Sequence, residues 1–180
     1  AEKGIEWMKL TAEGVAGHGS MVNRENAVTR LADAVSRIGN YKWPQRITKT
    51  NEVFLRKIAE LTGKTYDANN LTPILDEVGS ISRMMGATLS NTANPSMLEG
   101  GYKANVIPQT ASAVVDGRTL PGYEKELLDT VKQLAGEHVK VESLVSDIPL
   151  EVDFSGPLVE KMIAAIKAED PEGIPVPYVM

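Results

Sequence analysis

Between Gly4 and Ala12 the chain alternates, with Ile5 and Trp7 on one face of an extended segment and Met8, Leu10 and Ala12 on the other. That is the period-two pattern of a half-buried strand. Gly14, Gly17 and Gly19 then loosen the backbone through a loop running from Glu13 to Met21. Beyond it the spacing becomes helical: Ala27, Leu31, Ala34, Val35 and Ile38 share one stripe, Asn23 or Asn26 supplies the N-cap, and Gly39-Asn40 ends the helix. Residues 41–86 are less regular. Phe54, Leu55, Ile58, Ala59 and Leu61 mark a helix closed by Gly63, and Leu71, Ile74, Leu75, Val78, Ile81 and Met85 mark a second stripe interrupted by Gly79. A helical insertion is the expectation here. After it, Ala87 to Thr92 reads as a short strand, and Ala111 to Arg118 as another with Ala113 and Val115 on one side. Pro121-Gly122 turns the chain into a helix near Glu124 to Gly136, with Leu127, Leu128, Val131, Leu134 and Ala135 facing inward. Val139, Val141, Ser143 and Val145 alternate with Lys140, Glu142 and Leu144 as a last strand.

Without the insertion this order is βαββαβ, the split pattern of a ferredoxin-like α+β sandwich, an antiparallel sheet with two helices on one face. A further helix is expected with Ser155 as its cap, Pro157 in its first turn, and Leu158, Met162, Ala165 and Ile166 on its stripe. It ends by Pro171, and Ile174 to Met180 reads as one more apolar strand. This unit follows a completed sandwich. The expected division is therefore a domain over residues 1–152, with its insertion at about 41–86, and a segment over 153–180 that belongs to another domain. The chain begins inside a strand-like pattern without Met and stops in the apolar run Pro177-Tyr178-Val179-Met180, which suggests a piece of a longer protein.

Composition narrows the partners. With 19 basic and 24 acidic residues and no Lys/Arg cluster, the chain carries a formal charge of -5, and nucleic acid is not an expected partner. Aromatics are only 5%, which ranks a sheet-surface RNA binder low. No apolar run approaches the roughly 18 residues that span a bilayer, so no membrane partner is expected. Zero cysteines leave no disulfide framework, as suits a cytoplasmic protein.

Three stretches carry candidate chemistry. The first is Gly17-His18-Gly19-Ser20. A histidine on a glycine-rich loop is either a solvated surface residue or a donor to a reacting oxygen. His18 and His138 are the chain's two histidines, and they lie far apart with no His-x-Asp or His-x-x-x-His pair to start a metal site. His138 sits at a helix end as a charge partner. Ser20 does not fit the Gly-x-Ser-x-Gly elbow of a serine nucleophile. The second stretch, Gly100 to Pro108, is a hairpin connection on one reading; on another, Asn105 offers an amide donor and acceptor to a substrate carbonyl or carboxylate. The third is Asp116-Gly117-Arg118-Thr119-Leu120-Pro121-Gly122, where Arg118 is a surface ion-pair residue or a bidentate clamp for a carboxylate.

Taken together and in this order, Gly-His-Gly-Ser followed by Asn26-Ala27-Val28, then Gly-Gly-x-x-x-Asn-Val-Ile-Pro, then Asp-x-Arg-Thr-Leu-Pro-Gly, resemble the lid or dimerisation domain of metallopeptidase family M-twenty. That family includes aminoacylase, acetylornithine deacetylase, succinyl-diaminopimelate desuccinylase and carnosinase. The resemblance covers about residues 1–152. It implies a two-domain hydrolase whose catalytic domain holds two divalent ions, zinc by expectation, with no cofactor in this segment. It implies a homodimer joined through sheet edges and the first helix, with the lid histidine reaching into the partner subunit. By motif match, His18 would hydrogen-bond the scissile carbonyl and its oxyanion, Asn105 would help hold a small peptide or N-acyl amino-acid substrate, and Arg118 would bind its carboxylate. Residues 155–180 resemble the start of the catalytic domain's return, so the segment alone is expected to be inactive. The competing reading is a stand-alone ferredoxin-like module that binds a small molecule.

Overall fold

The computed structural model describes residues 1–180 except the side chain of Ile81, whose place on the second apolar stripe lies outside the described residues. The elements in chain order are β1 (Gly4–Glu13), β2 (Gly17–His18), α1 (Ala27–Gly39), α2 (Lys49–Thr62), α3 (Thr72–Leu75), α4 (Ser82–Thr88), β3 (Thr92–Gly100), β4 (Val106–Ile107), β5 (Thr110–Thr119), α5 (Glu124–Ala135), β6 (Val139–Asp147) and α6 (Pro157–Glu169). Four strands form one antiparallel sheet in the order β3-β5-β1-β6, and β2 and β4 form a separate two-stranded ribbon. Helices α1 and α5 pack on one face, which is the expected ferredoxin-like α+β sandwich.

The core follows from the two periodicities. Met8, Leu10 and Ala12 of β1 and Ala111, Ala113 and Val115 of β5 point toward the helices, which answer with Leu31, Ala34 and Ile38 from α1 and Leu127 and Val131 from α5. Asn26 caps α1 by accepting the Val28 N–H, and Asn40 closes it. Gly117 has a steric reason: a Cβ there would lie 2.6 Å from the Glu6 carbonyl oxygen and 3.0 Å from side-chain carbons of Met8 and Leu127. The residue before Arg118 must therefore be small for α5 to close on the sheet.

The insertion has its own core, with Leu55 and Ala59 of α2 packed among Leu71, Ile74, Met85 and Leu89. Gly63 ends α2 in the left-handed region at φ 68°. The second stripe, expected to be interrupted at Gly79, is broken into α3, a 3-10 turn that begins at Gly79, and α4. Arg46 ties the insertion to the sandwich, its Nε and Nη2 donating to the Glu126 carboxylate on α5 at 3.2 and 3.0 Å.

Four expectations are corrected. The strand expected at Ala87 to Thr92 begins only at Thr92 and runs to Gly100, since Ala87 and Thr88 close α4. Pro95 lies within that strand because β3 is an edge and its register shifts between Pro95 and Met97, so the missing N–H costs no ladder bond. In β6 the alternation inverts: Val141 and Ser143 oppose Leu10 and Met8, but a bulge puts Val145 opposite Trp7, on the other face. The cap of α6 is Gly156, with no side-chain bond, rather than Ser155. Finally, Ile174 to Met180 forms no strand, because Pro175 and Pro177 remove alternate donors. That tail still pairs locally with the N-terminus through Lys3 N–H to Met180 O at 2.7 Å, while Tyr178 stacks edge-on to Phe54 of the insertion.

Candidate functional site

Where β1 ends, the chain is pinned at several points. Gly14 donates to the Gln109 carbonyl at 2.8 Å, and Val15 donates to the Glu25 carbonyl at 2.9 Å. A Cβ on Gly14 would fall 2.1 Å from that same Glu25 oxygen, so only glycine lets the loop pass the start of α1. Asn23 fastens the return, donating to Val15 O at 2.6 Å and accepting the Glu25 N–H at 2.8 Å. Between these anchors Gly17 and His18 pair with Ile107 and Val106, and Gly19 donates to the Asn105 carbonyl at 2.9 Å. The expected hairpin connection at Gly100–Pro108 is thus half of a ribbon whose other half carries His18.

This ribbon brings two of the three candidate residues together. The Asn105 amide nitrogen lies 3.4 Å from His18 Nε2, and both side chains are exposed. On the other side of the ring, Nδ1 receives the Ser20 backbone N–H at 3.3 Å and faces the Ser20 hydroxyl at 2.8 Å. With Nδ1 accepting the Ser20 N–H the neutral ring carries its proton on Nε2, and with Nε2 accepting from the Asn105 amide it carries it on Nδ1, where the Ser20 hydroxyl accepts. In the first tautomer His18 presents an Nε2–H donor beside the Asn105 side chain. An acceptor oxygen that enters between the two side chains replaces their contact and accepts from both. Ser20 orients the ring, a role that a search for a serine nucleophile does not reveal.

Arg118 stands elsewhere. It points from the open face of β5, beside Ile5 of β1 and Thr92 of β3 in the register. Its Nε and Nη2 donate to Asp116 at 2.7 and 3.1 Å, and Trp7 Nε1 donates to the same carboxylate at 3.2 Å. The Asp116 hydrogen bond raises the Arg118 pKa further above its ordinary value, so the guanidinium is a fixed cation with its Nη1 donors uncommitted. The turn that follows is set by buried Asn91, which accepts the Leu120 N–H at 2.8 Å and donates to Tyr123 O at 2.9 Å. Asn91 was not among the sequence candidates, since nothing local marks an asparagine that grips a turn 29 residues away.

Arg118 lies eight residue steps along β5 from Thr110, the end beside the His18 ribbon. At about 3.4 Å per residue that is roughly 27 Å. A small substrate therefore cannot touch both ends of one domain. His138 lies just beyond the end of α5, with its Nε2 3.4 Å from the Glu137 carboxylate. Among the described residues no group of three or more His, Cys, Asp and Glu is placed to hold a metal ion, and no helix is long and apolar enough to cross a membrane.

Residues 1–142 match the family model of the peptidase dimerisation domain of the M-twenty enzymes. The chain belongs to this family. Among curated relatives, the dimerisation domain is 27% identical over 188 residues to a probable carboxypeptidase S-like protein of Dictyostelium discoideum, covering 99% of this chain and 36% of that one. It is 32% identical over 162 residues to an N-fatty-acyl-amino acid synthase/hydrolase of Xenopus tropicalis, covering 84% of this chain and 31% of that one. The chain thus spans about a third of these relatives' length. In fold it is similar to a metallo-carboxypeptidase of the same family from Sulfolobus solfataricus, with TM-score 0.58 and 21% identity over 92% of this chain and 49% of that one. The resemblance read from the three motif stretches is the family the whole domain matches.

Proposed function

We propose that this domain pairs two subunits of a dimetal-dependent amidohydrolase or peptidase and completes their active sites, on peptide or N-acyl amino-acid amide bonds. The observation that carries this reading is the distance between its two functional ends. His18 and Asn105 stand together at one end of the sheet, and Arg118 stands at the other, the length of β5 from Thr110, roughly 27 Å, lying between. The chain enters and leaves the sandwich at the Arg118 end, where Gly4 pairs with Thr119 and Glu2 bridges to Leu150. Their positions support a reading in which Arg118 serves the catalytic domain of its own subunit and the His18 end serves the partner's. Residues 1–152 act as the lid, and 153–180 as the returning catalytic-domain segment. The two divalent ions, zinc by our reading, belong to that catalytic domain, a reading supported by the lack of a converging ligand group among the described residues, and the segment alone is inactive. A cytoplasmic location accords with the lack of cysteine.

The pairing surface follows from the topology. Edge strand β3 borders α1, with Val28 of α1 against Gly100 of β3, so sheet edge and helix form one continuous side. Two copies related by a two-fold axis satisfy each other's open edges there. In the assembled site the His18 Nε2–H donates to the scissile carbonyl and strengthens as negative charge grows on that oxygen, Asn105 helps hold the substrate, and Arg118 takes its carboxylate.

In the full-length protein Arg118→Ala is expected to raise KM by roughly 10- to 100-fold, the worth of a hydrogen bond to a charged group, with kcat little changed. Steady-state kinetics check this. Unchanged KM would return Arg118 to a surface ion pair with Asp116.

A further inference from the structure

We propose that Lys3 is the second cationic arm of the Arg118 site, so that a substrate carboxylate is held between its ammonium and the Arg118 guanidinium. The inference rests on the carboxylate-binding role proposed for Arg118 and adds a residue and a ligand geometry to it.

Lys3 lies at the Arg118 end of the sheet: it immediately precedes Gly4, the first residue of β1, which pairs with Thr119, and Ile5 opposes Arg118. The Lys3 side chain reaches the segment leading into β3, donating to Ser90 O at 2.8 Å and Ala87 O at 2.9 Å, and two residues beyond Ser90 lies Thr92, the β3 neighbour of Arg118. These two carbonyls take two of the ammonium's three protons and leave one free. On Arg118, Nε and Nη2 are engaged by Asp116, leaving both Nη1 protons. Uncommitted donors from both cations thus lie at the same end of the sheet.

The charge balance favours an anion there. Among the described residues Lys3 makes no ion pair, and Asp116 is bound to Arg118. Asp147 on β6 shares the open face but is held off from Arg118 by Ile5, which lies between them in the register. Burial, and then repulsion by Arg118, lower the Lys3 pKa to about 8. A half-buried cation beside a second cation is unfavourable unless a counter-charge completes it, and the attraction of a carboxylate between the two would offset both the burial and the repulsion.

The test uses the full-length protein, with an N-acyl amino acid that it hydrolyses and the primary carboxamide of the same compound. Lys3→Gln keeps amide donors for the Ser90 and Ala87 carbonyls but removes the charge. It should lower kcat/KM for the carboxylate by roughly 10- to 100-fold, as for a lost charged hydrogen bond, and leave the carboxamide within about twofold. Lys3→Arg should restore most of the loss. Equal losses on both substrates, or none, overturn the proposal and leave Lys3 as a latch on the insertion. Arg118→Ala separates the two layers. If it abolishes the preference for the carboxylate while Lys3→Gln does not, only the Lys3 inference fails; if it leaves the preference intact, the Arg118 reading fails first.

Discussion

In the full-length protein, His18→Ala is expected to lower kcat by about 10²- to 10³-fold, the usual effect of deleting one oxyanion donor, with a much smaller change in KM. The split follows from where the hydrogen bond gains strength. A neutral imidazole N–H binds a ground-state carbonyl weakly, and the same N–H binds the charged oxygen of a tetrahedral intermediate far more strongly. The residue suits that task in the tautomer in which Nδ1 accepts the Ser20 N–H and Nε2 carries the proton. The fold should not suffer, since His18 is exposed and its ribbon is held by backbone bonds. Turnover of His18→Ala equal to wild type would make the histidine a solvated loop residue.

The second large effect concerns assembly. Met97 and Leu98 on edge strand β3 are 55% and 62% exposed, and with Val28 of α1 they line the side proposed to meet its own copy. Met97→Lys combined with Leu98→Lys puts like charges against their symmetry mates across a two-fold contact. Such juxtaposition costs several kcal/mol, so the dimer should weaken by roughly 100-fold or more. Sedimentation equilibrium should show a dimer for the unaltered chain and a monomer for the variant at the same concentration, with the same far-ultraviolet dichroism. A variant that stays dimeric would move the interface to β6 or off the sheet.

What the sequence disclosed depended on how many residues express a pattern. β1, β5, α1 and α5 are ten or more residues long, and their apolar faces appear in the alternation and the stripes as they do in the core. β3 stayed hidden because Pro95 reads as a breaker until the strand is known to be an edge. The β2–β4 ribbon has two residues per strand, too few for any period, yet it is what joins His18 to Asn105 across 87 positions. The inverted face of Val145 depends on a bulge that only the partner strand defines. At the site, residue types and order pointed to His18, Asn105 and Arg118, but that they divide into two remote groups is a property of the sheet. Ser20, Trp7 and Lys3 act through side-chain contacts that no spacing encodes.

Action across the dimer is tested most directly by mixing two inactive full-length variants, His18→Ala with its metal ligands intact and a metal-ligand variant with its His18 intact. After free subunit exchange of an equal mixture, about half of the dimers are mixed and each holds one complete site of two, so about a quarter of wild-type activity should return. Exchange demonstrated directly, with activity still missing, would contradict the assignment of His18 to the partner's site.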